Sequence, residues 1–178
     1  VRFEMLHDGD RVLIGLSGGK DSFSLLHVLL HFQRHAPISF ELGVATFDPQ
    51  MEGFDPSPLQ AYVETTGLPF HYVVRPVEEL AKTSLKNDAI CAFCSRMRRG
   101  ALYATAREQG YNVLALGQHL DDAAESFLMS AFHEGKLNTM KANYLNNDRD
   151  IRVIRPLIEV RERQLHDFSN AAGFPLIV

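Results

Sequence analysis

Three short clusters hold the residues of this chain best suited to chemistry. The first is Ser17-Gly18-Gly19-Lys20-Asp21-Ser22. Its glycines let backbone N–H groups turn toward an anion, and Ser17, Lys20 and Ser22 add side-chain donors. The spacing is neither that of a Walker A loop nor that of Gly-x-Gly-x-x-Gly. The second cluster is Gly117-Gln118-His119-Leu120-Asp121-Asp122. With Asp21, its aspartates could hold Mg2+, an ion bound by one or two carboxylates plus substrate phosphates. Capping a helix N-terminus is the other common use of such aspartates. The third cluster is Cys91-Ala92-Phe93-Cys94, running into Ser95-Arg96-Met97-Arg98-Arg99-Gly100. The chain has 2 cysteines, and their spacing fits a redox couple, half of a metal site, or coincidence. A thioredoxin-like couple would follow directly on a strand, whereas an irregular stretch is expected here. Arg96, Arg98 and Arg99 are expected on the first turn of a helix, where positive charge opposes the macrodipole by up to about 1 kcal/mol each. Phosphates of a nucleotide or an RNA would offset that cost; a solvated helix face is the plainer use. Arginines also lower the pKa of a nearby thiol.

These clusters need elements to bring them together. Residues 11–17 read as a buried strand, because Val12, Leu13 and Ile14 run without alternation. Residues 22–35 read as a helix ended by Ala36-Pro37, residues 41–47 as a second strand closed by Asp48-Pro49, and residues 59–66 as a short helix. A third strand is expected at 70–74, a helical turn at 76–81, an irregular stretch at 84–90 and a helix at 92–109. A fourth strand at 112–117 leads to a helix at 121–132. Residues 134–150 read as a long mobile loop, followed by a fifth strand at 151–154 and a last helix at 162–172. The alternation predicts an α/β fold: a doubly wound, mainly parallel five-stranded sheet with helices on both faces. Ligands of such sheets sit at the carboxyl ends of the strands. Ser17 to Ser22, Asp48, and Gly117 to Asp122 all fall at that edge.

The 178 residues are 46% hydrophobic and 22% charged, which suits one domain with an ample core. No apolar run approaches the roughly 20 residues of a membrane span, and residues 1–10 lack the pattern of a signal peptide. A cytoplasmic location is expected. Val1 at one end and the apolar run Phe174-Pro175-Leu176-Ile177-Val178 at the other suggest a piece of a longer protein. The net charge of −4 is unevenly spread: residues 1–81 carry −6 and residues 82–163 carry +3. A basic second half is compatible with a nucleic-acid face and equally with ordinary solvated helices.

The first cluster resembles the signature of the PP-loop ATP pyrophosphatase superfamily, whose loop grips ATP and whose reaction releases pyrophosphate. Taken together, SGGKDS, CAFCSRMRRG, GQHLDD and Ile154-Arg155-Pro156-Leu157 resemble the tRNA 2-thiocytidine synthetase group of tRNA thiolases over roughly residues 10–175. Some members carry a histidine where this chain has Gln118. The resemblance implies a single PP-loop domain over 1–178. It implies ATP bound by Ser17, Gly18, Gly19, Lys20, Asp21 and Ser22, with Asp48, Gly117, His119 and Asp122 close by and Phe54 beside the adenosine. Lys20, Asp21 and Asp121 would assist catalysis through Mg2+. Cys91 and Cys94 would be two of three cysteine ligands of a 4Fe-4S cluster. The third ligand of that family follows the segment that here is Gly173-Phe174-Pro175, so it lies beyond Val178 or is missing. Arg96, Arg98, Arg99 and Arg155 would hold phosphates of tRNA or ATP. The implied partners are tRNA, a sulfur donor (a cysteine desulfurase or sulfide) and a second copy in a homodimer. A 2-thiouridine synthetase, a lysidine synthetase and a non-catalytic nucleotide- or metal-binding relative are the alternatives.

Overall fold

Val12, Leu13 and Ile14 are all fully buried, as an unbroken apolar run dictates when both faces of its strand are covered. They belong to β1 (Arg11–Gly15), near the centre of a six-stranded sheet. The computed structural model describes residues 2–50, 55–76 and 90–177. After β1 come α1 (Lys20–His35), β2 (Glu41–Asp48), α2 (Ser57–Thr66), β3 (Phe70–Val74) and α3 (Ile90–Glu108). Then follow β4 (Val113–Ala115), α4 (Leu120–Met129), a π-helical turn (Ser130–Glu134), β5 (Asn143–Leu145), β6 (Arg152–Ile154) and α5 (Glu162–Ala172).

The strand order is β3-β2-β1-β4-β6-β5. All neighbours pair in parallel except β5, which runs antiparallel to β6. The winding reverses between β1 and β4, so a crevice opens beyond the carboxyl ends of those strands. Alternation divides the core. Ile14 and Val44 share a cluster with Phe23 and Leu26 of α1, Leu59 of α2 and Leu165 of α5. Leu13 and Ala45 point the other way, onto Leu102 and Ala106 of α3. Phe47 continues that second face with Val73 and Ala101. Burying such a side chain contributes about 1.5–3 kcal/mol, so both helix layers are firmly tied to the strands that carry the loop.

The doubly wound sheet with helices on both faces is as expected, with six strands rather than five. The additional strand, β5, lies inside the stretch 134–150 that reads as a loop. Three half-wet residues at a sheet edge leave too little apolar pattern to announce a strand. The second difference concerns α3. It starts at Ile90, so Arg96, Arg98 and Arg99 fall in its second and third turns, not the first. The macrodipole acts mainly within the first turn, and the cost that phosphates were expected to offset therefore lapses. Phe54, the helical turn expected past Pro76 and the irregular stretch expected before α3 lie outside the described residues. Among the described residues, no helix is long and apolar enough to cross a membrane.

Candidate functional site

The sheet hands its chain to the phosphate-type loop one residue past β1: Leu16 N donates to Ala45 O at 2.9 Å. Gly18 then adopts a φ of 90°, a left-handed conformation open to glycine at little cost. Ser22 Oγ donates to Gly19 O at 2.8 Å and accepts from Ser17 N at 3.2 Å, closing the loop on itself. Gly19 is the N-cap of α1 and no side chain caps that helix. Ser22 N and Phe23 N both donate to Gly19 O, at 3.1 and 3.2 Å, which leaves the N–H groups of Lys20 and Asp21 in the first turn for an anion. Gly117 packs directly against this turn. A Cβ there would lie 3.2 Å from the carbonyl carbon and oxygen of Asp21, so any larger residue would press the end of β4 against the start of α1.

A cleft of about 400 Å³ opens where these pieces meet. Ser17, Asp21 and Ser22 line it from the loop, and Gly117, Gln118 and Asp122 from the β4 edge. Ser95, Arg98, Arg99 and Leu102 line it from α3. Their spacing of i, i+3, i+4, i+7 is one face of a helix. The cleft therefore joins the loop to the helix that carries the cysteine pair. Cys94 is a free, half-buried thiol packed beside Phe93 and Met97 against Phe47, Val73 and Ala101. Cys91 lies on the first turn of α3; its side chain is outside the described residues.

Three carboxylates converge on His119, which is buried. Its ring nitrogens lie 3.9 Å from Asp21, 3.8 Å from Asp121 and 3.5 Å from Asp122. His119 N donates to Asp122 Oδ2 at 2.9 Å while Asp122 N donates to His119 Nδ1 at 3.4 Å, a reciprocal cap on α4. Asp121 Oδ2 accepts from Glu162 N at 2.7 Å and so caps α5. Asp21 differs: its Oδ1 is buried with no hydrogen-bond partner among the described residues. Lys20 Nζ sits 3.3 Å from the Asp21 carboxylate and donates to Glu162 Oε1 at 2.8 Å. Burial pulls the Lys20 pKa down, but the bond to Glu162 and the charge of Asp21 outweigh it and hold the amine above its ordinary value. The same bond from Lys20 holds Glu162 below the usual carboxylate range. Among the described residues no three His, Cys, Asp or Glu side chains form a ready metal cage.

Other expected site residues lie apart from the cleft. Arg96 is exposed on α3 but is not on the face that lines the cleft. Asp48 follows the cleft-lining Phe47 and so turns to the opposite face of β2. There its carboxylate accepts from Gln50 N at 2.6 Å and from the Tyr72 hydroxyl. Burial, then that bond to Asp48, pushes Tyr72 up to about 12. Arg155, expected to hold phosphates, is 6% exposed. Its Nε donates to Gln118 Oε1 at 2.9 Å and its Nη1 to Lys141 O at 2.5 Å. Those two donors are engaged inside the protein. Two further residues belong to the site: Ser95, whose helical spacing to Arg98 and Arg99 points to it, and Glu162, to which nothing local points.

Comparison with known proteins follows the same lines. The family model described as the PP-loop domain matches residues 2–177. The tRNA-cytidine(32) 2-sulfurtransferase of Chromohalobacter salexigens is 39% identical over 178 residues, 99% of this chain and 63% of that protein. The protein of the same name from Cellvibrio japonicus is 40% identical over 99% of this chain and 59% of its own length. The chain thus spans less than two thirds of these curated relatives. Among solved structures, the U34-tRNA thiolase NcsA from Methanococcus maripaludis with its 4Fe-4S cluster superposes with a TM-score of 0.77 at 24% identity, over 97% of this chain and 59% of that one. The NH3-dependent NAD synthetase of Campylobacter jejuni superposes with a TM-score of 0.57 at 14% identity, over 97% of this chain and 68% of that one. Both likenesses concern the fold.

Proposed function

The chain belongs to the PP-loop domain family, and on that premise we propose that it is the ATP-activating part of a tRNA thiolase acting on cytidine. One observation carries the reading: Ser17, Asp21 and Ser22 of the loop share a single cleft with Ser95, Arg98 and Arg99 of α3, the helix that carries Cys91 and Cys94. A site for ATP alone has no use for a cysteine pair on the helix that walls it.

In this reading the loop N–H groups, Ser17 and Ser22 hold the nucleotide phosphates, and Lys20 supplies a point charge to them. The oxygen on C2 of the target cytidine attacks the α-phosphorus of ATP, and the bond to pyrophosphate breaks. A sulfur nucleophile then bonds to C2, the C2–O bond breaks, and AMP leaves with the oxygen. Arg98 and Arg99 face the cleft and would bind phosphates of the tRNA or the nucleotide, with exposed Arg96 extending the track. His119 holds Asp122 and α4 in place.

Mg2+ fits the donors present. Asp21 Oδ1 accepts no hydrogen bond among the described residues, its charged neighbour there being Lys20 Nζ at 3.3 Å, and Asp122 lines the same cleft. Two carboxylates completed by substrate phosphates are the usual protein share of a Mg2+ site, and the ion would neutralise charge on the departing pyrophosphate. For a 4Fe-4S cluster, Cys91 and Cys94 would supply two thiolates from the first two turns of α3. A cluster held by three cysteines leaves one iron able to bind sulfide. Ile177 N donates to Gly18 O at 3.0 Å, so the segment after Gly173-Phe174-Pro175, where the resemblance puts a third cysteine, runs beside the loop.

The relatives' name supports tRNA as partner and cytidine as target. Sulfide or a cysteine desulfurase would supply the sulfur, in the cytoplasm. A homodimer is supported by α4 and its π-helical turn, which bury no residue and expose Phe127, Leu128, Met129 and Phe132. The test is pyrophosphate release by full-length protein given ATP, Mg2+, sulfide and unmodified tRNA. Release that requires tRNA and matches the thiocytidine formed supports the reading; activity retained in Cys91→Ser would point to a PP-loop ligase that needs no sulfur site.

A further inference from the structure

Gln118 lines the cleft, and its Oε1 accepts from Arg155 Nε at 2.9 Å. A guanidinium can only donate. The amide can therefore meet Arg155 only through its oxygen, and its NH2 group is the end left for another partner. A flipped amide would set donor against donor. Arg155 is itself held from several sides. It is 6% exposed, its Nη1 donates to Lys141 O at 2.5 Å, and its guanidinium lies 5.3 Å from the centre of the Tyr144 ring. Arg155 thus links β5 to the β4 edge, and the end product of its contacts is one oriented amide.

We propose that Gln118 contacts the substrate through its amide N–H donors, and that Arg155 is the positioning residue that fixes which end of the amide faces the cleft. This rests on the cleft being the site where ATP and cytidine meet. Two acceptors come together in that reaction: an α-phosphate oxygen of the nucleotide, and the O2 and N3 edge of cytosine. A donor serves either one. Against the base it would also discriminate, because N3 of uracil carries a hydrogen and would leave two donors facing each other.

Gln118→Glu keeps the shape, still accepts from Arg155 and removes the donors. Gln118→His offers one ring nitrogen to Arg155 and one N–H to the cleft. In full-length protein, Gln118→Glu is expected to lower kcat/KM for tRNA by about 100-fold or more, the usual loss for a donor that serves a reacting group. Gln118→His should stay within about tenfold of wild type. Arg155→Met should lose about as much as Gln118→Glu, and the double variant no more than either, since the two residues act as a unit. A weaker ATP Kd in Gln118→Glu assigns the acceptor to the phosphate. An unchanged ATP Kd with lost tRNA turnover assigns it to the base. Wild-type kcat/KM in Gln118→Glu, or equal losses in the Glu and His variants, would overturn the proposal while leaving the function intact. Wild-type protein that modifies no tRNA would instead overturn the functional reading and this inference with it.

Discussion

Lys20 shows what residue identity can and cannot reveal. Its place in Ser-Gly-Gly-Lys-Asp-Ser marks it for phosphate, yet its ammonium is paired with Glu162, 142 positions away. No local spacing reports such a contact; only the fold, by capping α5 on Asp121, brings the two together. The pair has a definite pH window. Lys20 is raised, so its contribution is complete below the ordinary amine value and is lost as pH rises through the raised one. Glu162 is lowered, so its contribution is present above the ordinary carboxylate value and is lost as pH falls through the lowered one. Across neutral pH the pair is intact. Urea midpoints followed downward through the carboxylate range should fall less steeply for Glu162→Gln than for wild type; superimposable acid limbs would show that the pair contributes nothing. Lys20→Met should cut tRNA-dependent pyrophosphate release by about 100- to 1000-fold, measured with a coupled phosphate assay. Cys94→Ser should abolish thiolation and leave ATP affinity within about twofold, because the thiol packs on α3 beside the cleft and not in the loop.

At the scale of elements, the sequence was most legible where the physical signal was strongest. β1 announced itself through three consecutive fully buried residues, and α5 through its apolar stripe and terminal Gly173. β5 did not, because an antiparallel edge strand is wet on one side and here pairs only three residues. α3 begins at Ile90, two residues before the expected boundary. Close packing between elements was also invisible beforehand. Gly43 in β2 would place a Cβ 2.0 Å from the Tyr111 hydroxyl. Gly43→Ala must therefore displace Tyr111, and chemical denaturation should show a loss of about 1–3 kcal/mol. An unchanged midpoint would mean that the ring moves freely and that the contact does not tie β2 to the α3 layer.

For the whole molecule, the loop, the segment Gly117 to Asp122 and the arginine face of α3 are dispersed in sequence but meet at the one edge that the winding of the sheet makes concave. For the loop and Gly117 to Asp122 that meeting was legible from the order of strands and helices; for the α3 face it was not. The commitments of individual atoms were not legible either, and they separate Arg98 and Arg99, which face the cleft, from Arg155, which is enclosed. The exposed surface of α4 and its π-helical turn raises the question of assembly. Phe132 is 80% exposed, and Phe132→Glu should convert a dimer to a monomer in sedimentation equilibrium; a wild-type monomer at micromolar concentration would remove the homodimer. The most direct test of the chemistry uses tRNA carrying 18O at the C2 oxygen of the target cytidine. Attack on the α-phosphorus followed by sulfur displacement predicts one 18O in the AMP released and none in pyrophosphate. Label found in pyrophosphate or orthophosphate, or retained in the tRNA after ATP is consumed, would contradict activation by adenylation.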